Sequence, residues 1–280
     1  ISAPGFPELL DEMVALSGDR RNTAFVVGDT PFRLKADATS TKNWATNANT
    51  ASENGEEGLL TSSPYAAVYY PSALSTNLDG TNVVVPPSHV ALRTLAFNDQ
   101  IAYPWFAPAG FQRGLVQNAT SVGYVNATDG EYVPVTLNEG QRDNLYLNKV
   151  NPIASFPGRG LVVFGQKTLN PTASALDRIN VARLIVHIRE RLDDIVKPFL
   201  FEPNDDITRQ NAKGVVDGFL SNLVIQRGLF DYVTVCDGSN NTPTRIDRNE
   251  LYIDIAIQPV KAIEFIYIPI RIQNTLGSTA

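Results

Sequence analysis

The sequence predicts an α+β, mixed α/β protein in which helices pack on mixed β-sheets. Three observations point there. The chain opens on a helix followed at once by a buried strand, the order of an α/β layer rather than of a β sandwich. Residues 174–272 read helix, helix, strand, strand, strand, which places both helices on one face of a sheet. No repeat with a period of about 20–50 residues runs through the chain, which argues against a solenoid.

In order, PELLDEMVALS (7–17) has Pro7 near its start and Leu9, Leu10, Met13 and Leu16 at helical spacing. TAFVVGD (23–29) is a buried strand. Residues 36–58, rich in Ala, Asn, Thr, Ser, Glu and Gly, read as a weak helix or a surface segment. SPYAAVYYP (63–71) is a second buried strand stopped by Pro71, and NLDGT (77–81) is a turn. Residues 83–100 supply a strand, a break and a helix starting near Ser88. IAYPWFAPAGFQRG (101–114) mixes Pro and Gly breakers with aromatics and reads as an irregular loop with its rings packed inward. Short strands and turns lead to a helix at 139–150. NPIASFPGRG (151–160) is a connector and LVVFGQKT (161–168) a strand.

The second half carries the strongest helix, 174–197. Val181, Leu184, Ile185, Ile188, Leu192 and Ile195 form one stripe. Arg183, His187, Glu190, Arg191, Asp194 and Lys197 lie opposite, and Pro198 ends the helix. A second helix runs from about Thr208 to Gln226, with Gly228 as its stop. YVTVCD, LYIDIAIQ and EFIYIPIRIQ follow as strands. Two domains are expected, 1–150 and 151–280. Charge supports that division: the first part carries nine basic and fifteen acidic residues, the second fourteen of each.

Composition bounds the function. The net charge is −6 and neither half is basic, which argues against direct nucleic-acid binding. No apolar run approaches the ~20 residues of a membrane helix, so no membrane insertion is expected. A single cysteine, Cys236, allows no internal disulfide, which fits folding in a reducing cytoplasm. Charged residues make up 19%, and a surface with few charges is cheaper to bury against partners.

Candidate chemistry is sparse. GRGLVVFGQKT (158–168) departs from a phosphate-binding loop, because Gln166 separates Gly165 from Lys167 and LVVF is strand sequence. In 236–248, Asp237, Ser239 and Asn241 fall at calcium-ligand spacing. Thr242 stands where a sharp-turn glycine is needed, and Arg248 where a bidentate carboxylate is needed. Asp205 and Asp206 precede a helix and read as N-terminal caps. His89 and His187 are isolated and give no zinc spacing and no nucleophile–base pair. The NAT triplets at 118–120 and 126–128 read as loop sequence. No catalytic, cofactor-binding or metal-ligating residue is assigned, no cofactor is expected, and the chain is not expected to be an enzyme.

The end of the chain is different. In EFIYIPIRIQ, Ile266, Ile268, Ile270 and Ile272 share one strand face, and Phe265, Tyr267, Pro269 and Arg271 the other. A long apolar strand with a free edge is an aggregation hazard unless something pairs with it. Its pairing is expected between subunits. The predicted subunit interface is Phe265, Ile266, Tyr267, Ile268, Ile270, Arg271 and Ile272, with Arg183, Glu190, Arg191 and Asp194 of the charged helix face.

An ordered series resembles the contractile tail sheath family of bacteriophages. It runs SPYAAVYYP (63–71), VPPSHVAL (85–92), WFAPAGFQRG (105–114), NKVNPIASFPGRGLVVFGQKTL (148–169), INVARLIVHIRE (179–190) and FEPND (201–205), then the β-rich terminus. The resemblance implies a structural subunit stacked in helical rings around a tail tube, with contraction driving the tube through the host envelope. It implies a C-terminal polymerisation domain whose sheet is completed by arms from neighbouring subunits. The implied partners are further copies of the chain, the tail tube protein, the baseplate and a sheath terminator. The implied location is the virion, after assembly in the host bacterial cytoplasm. Members of the family carry an N-terminal arm, whereas this chain opens on Ile1 and the helix at 7–17. The arm and outer domains either lie upstream or are absent. Two other readings stand beside it: a sheath-capping or baseplate protein of the same machine, and an α/β hydrolase using Asp205 or Asp206.

Overall fold

The computed structural model describes residues 1–48 and 58–268. The first helix, α1 (Leu10–Asp19), leads into β1 (Val26–Asp29) and α2 (Ala38–Ala45). Then come β2 (Ala66–Tyr70), β3 (Ser72–Thr76), β4 (Asn82–Val85), α3 (Pro87–Ile101) and the short α4 (Gly110–Arg113). They are followed by β5 (Ser121–Val125), β6 (Tyr132–Pro134), α5 (Glu139–Leu147), β7 (Val150–Phe156) and β8 (Gly160–Val163). The last elements are α6 (Ile179–Val196), α7 (Asp206–Ile225), β9 (Leu229–Val235), α8 (Pro243–Asp247) and β10 (Asp254–Pro259).

The first sheet has the order β1-β2-β7-β8, with β1, β2 and β7 parallel and β8 antiparallel. All five residues of β2, AAVYY, are buried, as expected when both faces of a parallel sheet are covered. Side-chain alternation sorts the strands into two cores. Val26, Ala66, Val68 and Tyr70 pack with Leu10, Met13, Trp44 and Leu145 on one side. Val27, Ala67 and Tyr69 pack with Val90, Ala91, Leu95 and Ile179 on the other. The second sheet, β4-β3-β5-β6, is antiparallel throughout.

The mixed α/β architecture agrees with the sequence reading; three details differ. First, β2 does stop at Pro71, but the chain resumes at Ser72 as β3 of the second sheet, a strand the sequence reading did not mark. Second, NPIASF is the strand β7 rather than a connector. Pro152 pairs with Tyr70 at the last position of the ladder with β2, where a missing N–H costs least. Asn151 compensates through its side chain, donating to Val68 O (3.0 Å) and Lys167 O (2.8 Å). Third, β7 and β8 lie beyond the expected division at residue 150 yet are hydrogen-bonded into the sheet that β1 and β2 begin. The sheets therefore cross that position.

The third core is built from α6, α7, β9 and Trp105. Trp105, in the loop between α3 and α4, lies beside α7 and donates Nε1–H to Gln226 O at 3.0 Å. Gly228 approaches this ring closely: a Cβ there would lie 3.2 Å from Trp105 Nε1. The left-handed residue that ends α7 is Arg227 (φ 62°), not Gly228. The Arg227 N–H donates to Val224 O and the Gly228 N–H to Leu223 O, a Schellman closure.

Candidate assembly interface

α6 and α7 lie against a two-stranded sheet. β9 and β10 pair antiparallel, with Ile257 opposite Tyr232 and Ile255 opposite Thr234. The inward residues of β10 and nearby Ile253 are only half-buried, whereas Leu184, Val216, Leu220 and Leu223 beneath are fully buried. Dimensions explain the shortfall. Two helices side by side span about 20 Å, at about 8–10 Å between axes plus their side chains. Two strands, spaced about 4.8 Å apart, cover about half of that. Beside them lies a groove of about 1550 Å³ lined by Leu192 and Val196 of α6, Val216 of α7, and Ile253 and Ile255, and closed by the turn after α1 and the loop at 199–204.

The connection between β9 and β10 is held by side chains. Asn240 donates to Val235 O (2.8 Å) and Asp254 Oδ2 (2.9 Å). Asn241 accepts from the Tyr252 N–H at 2.7 Å. Asp237, at the head of the calcium-like stretch, accepts from the Ser239 N–H at 2.8 Å, which makes an Asx turn. Among the described residues, no group of three or more His, Cys, Asp or Glu side chains is placed to hold a metal ion. Asp205 caps α7 by accepting from the Thr208 N–H at 2.8 Å, and this bond holds its carboxyl below the usual range. Asp206 pairs with Arg209 at 2.5 Å. Cys236 is buried.

Beyond β10 the chain leaves the sheet. Val260 donates to Gly228 O, and no strand is formed over 261–268. Of the predicted interface residues, Phe265, Ile266, Tyr267 and Ile268 are 69–88% exposed. Ile270, Arg271 and Ile272 lie outside the described residues. On the helix face, Glu190, Arg191 and Asp194 are exposed, with Asp194 paired to Lys197 at 2.7 Å. Arg183 is separated from them: its side chain is 12% exposed and its guanidinium pairs with Asp99 of α3 at 2.5 Å. His187 also turns inward, 5.5 Å from the Trp105 ring and 6.3 Å from Phe219. The sequence reading did not mark the groove or Trp105 as part of this third core.

Residues 172–273 match the family described as phage tail sheath C-terminal domain. The chain resembles a tail sheath C-terminal domain over a stretch that begins ahead of α6 and takes in α7, β9 and β10. Over 171 residues, 61% of the chain, it is 39% identical to the tail sheath protein of Vibrio phage KVP40. Over 225 residues, 80% of the chain, it is 31% identical to the tail sheath protein of Enterobacteria phage T4. The chain spans 24% and 32% of the length of those two relatives. Its fold is shared with solved contractile assemblies. One is a chain of the anti-feeding prophage baseplate in the contracted state (TM-score 0.73, 23% identity, 94% of this chain and 69% of that one). Another is a chain of the PVC extracellular contractile injection system sheath, also contracted (TM-score 0.69, 22% identity, 88% and 63%).

Proposed function

We propose that the protein is a structural subunit of a contractile phage tail sheath, acting by assembly rather than by covalent chemistry. The observation that carries this reading is the unfinished sheet: two strands against two helices, a groove beside β10, and an apolar segment that forms no strand over its described residues 261–268. Strands from neighbouring copies fill such a gap by main-chain hydrogen bonds, with side-chain burial adding about 1.5–3 kcal/mol per large apolar residue. Phe265, Ile266, Tyr267, Ile268, Ile270, Arg271 and Ile272 form the joining strand. Glu190, Arg191 and Asp194 form a charged contact to a neighbour, while Arg183 stays with Asp99. The polymerising unit comprises α6, α7, β9, β10 and the C-terminal segment. The further partners are the tail tube, the baseplate and a sheath terminator, and the location is the virion after assembly in the host cytoplasm. No helix of the described residues is long and apolar enough to cross a membrane.

Electron microscopy of the full-length protein tests the reading, with tubes or rings as the expected product. Removing residues 265–280 should abolish them while circular dichroism still reports α6 and α7 folded. A parent protein that stays monomeric under assembly conditions counts against a sheath. A second reading, a capping or baseplate component, draws on the likeness to a chain in a baseplate structure. Copy number in purified particles separates the two: many copies for a sheath, few for a cap.

A further inference from the structure

In the exposed C-terminal segment one charged side chain turns inward. Glu264 lies between Ile263 and Phe265, which are 83% and 69% exposed, yet its side chain is 16% exposed. Arg178 grips the carboxylate with two bonds, Nε to Oε1 at 2.5 Å and Nη2 to Oε2 at 2.9 Å. Gln166 Nε2 donates to Oε1 at 3.0 Å. Burial, then the charge of Glu264 nearby, raises the pKa of the Tyr146 hydroxyl. The receiving groups are themselves held. Arg178 pairs with Asp177 at 3.0 Å and forms an isolated bridge with Lys167. Gln166 O accepts from the Ile179 N–H at 2.8 Å, at the first turn of α6. Lys167 Nζ donates to Tyr146 O at 2.7 Å, and burial together with Arg178 lowers its ammonium below the usual range.

These groups come from α5, from the strand exit after β8 and from the entry to α6. Glu264 therefore ties the C-terminal segment to the junction between the first sheet and the helices. Among the described residues, no backbone hydrogen bond holds 261–268. We propose that Glu264 is a positioning residue that fixes where the C-terminal segment leaves its own subunit and so aims it at the neighbour. This deepens the sheath reading and, for its assembly arm, rests on it. The physical reason is effective concentration. A segment pivoting at Glu264 searches a smaller volume than one pivoting at Val260, so it meets a receiving edge more often. A bidentate guanidinium–carboxylate pair also sets direction, which a single point contact does not.

The test uses full-length protein with Arg178→Ala, Glu264→Gln and the exchange Arg178→Glu with Glu264→Arg. The first readout is tryptic cleavage after Lys261, whose flanking sequence Arg178→Ala leaves intact. Loss of the tether should raise its rate about tenfold, because cleavage follows local release. The second readout is assembly rate by light scattering, expected to fall about tenfold in both single variants and to recover in the exchange. Thermal midpoints within a few degrees of the parent separate lost positioning from lost folding. Unchanged cleavage in Arg178→Ala overturns the proposal, as does an exchange that restores neither readout. If the unaltered protein fails to assemble, the sheath reading falls, and the cleavage arm still decides whether Glu264 tethers the segment.

Discussion

His187 shows how one side chain belongs to two readings. In sequence it sits on a charged helix face; in the structure it is half-buried between Trp105 and Phe219. Burial, then nearby Arg191, lowers its pKa from the ordinary 6.5, with Glu190 opposing. The native state therefore binds fewer protons than the unfolded chain between the lowered value and 6.5. Stability rises with pH through that window, is complete above it, and falls on acidification. Urea unfolding at pH 7.5 and 5.5 should show this loss, and His187→Gln should flatten the difference. Trp105 is the larger anchor. Replacing it by Ala removes a buried ring and orphans Gln226 O, so urea unfolding should report a loss of about 3–5 kcal/mol. The aromatic content of 101–114 was legible as loop anchoring. That the ring anchors α7, 121 positions away, was not, because no local pattern encodes a contact at that separation.

At the scale of elements, periodicity was most reliable where burial is one-sided. The α6 stripe came through: Val181, Leu184 and Ile188 are buried, and Ile185, Leu192 and Ile195 half-buried. β3 and β7 were missed because SALST is small and polar and NPIASF contains Pro; both are placed by their neighbours in the sheet. Gly123 in β5 marks a close approach that its own strand does not announce. A Cβ there would fall 2.1 Å from Val133 O, a backbone atom of β6 that cannot rotate away. Gly123→Ala should thus separate β5 from β6 and lower stability by about 2 kcal/mol or more, read as a drop in thermal midpoint. The same substitution at Gly80, with nothing within 4 Å, costs only the strain of its positive φ.

For the whole molecule, the sheath reading proposed above pairs the groove with the exposed segment. Phe265, Ile266, Tyr267 and Ile268 present more apolar surface than a solitary subunit keeps exposed without a partner. A synthetic peptide of residues 261–280 should compete for the receiving edge and slow polymerisation in light scattering. The same peptide with Ile266 and Ile268 replaced by Lys should not. Equal inhibition by both would remove side-chain burial from the joint. The neutral balance of 151–280, beside the net −6 of 1–150, fits a C-terminal half that stacks against its own kind without like-charge repulsion.

The sequence by itself determined the α6 helix with its apolar stripe, the buried strand AAVYY and the sparseness of catalytic groupings. Each is written in local spacing, composition or alternation. Only the tertiary structure decided that the first sheet crosses residue 150, that Arg183 serves Asp99, that two strands lie beneath two helices, and that Glu264 is held by Arg178. Those outcomes depend on distances between residues remote in sequence. Hydrophobic periodicity says that a face must be buried; only packing settles which surface buries it and where the covering runs out.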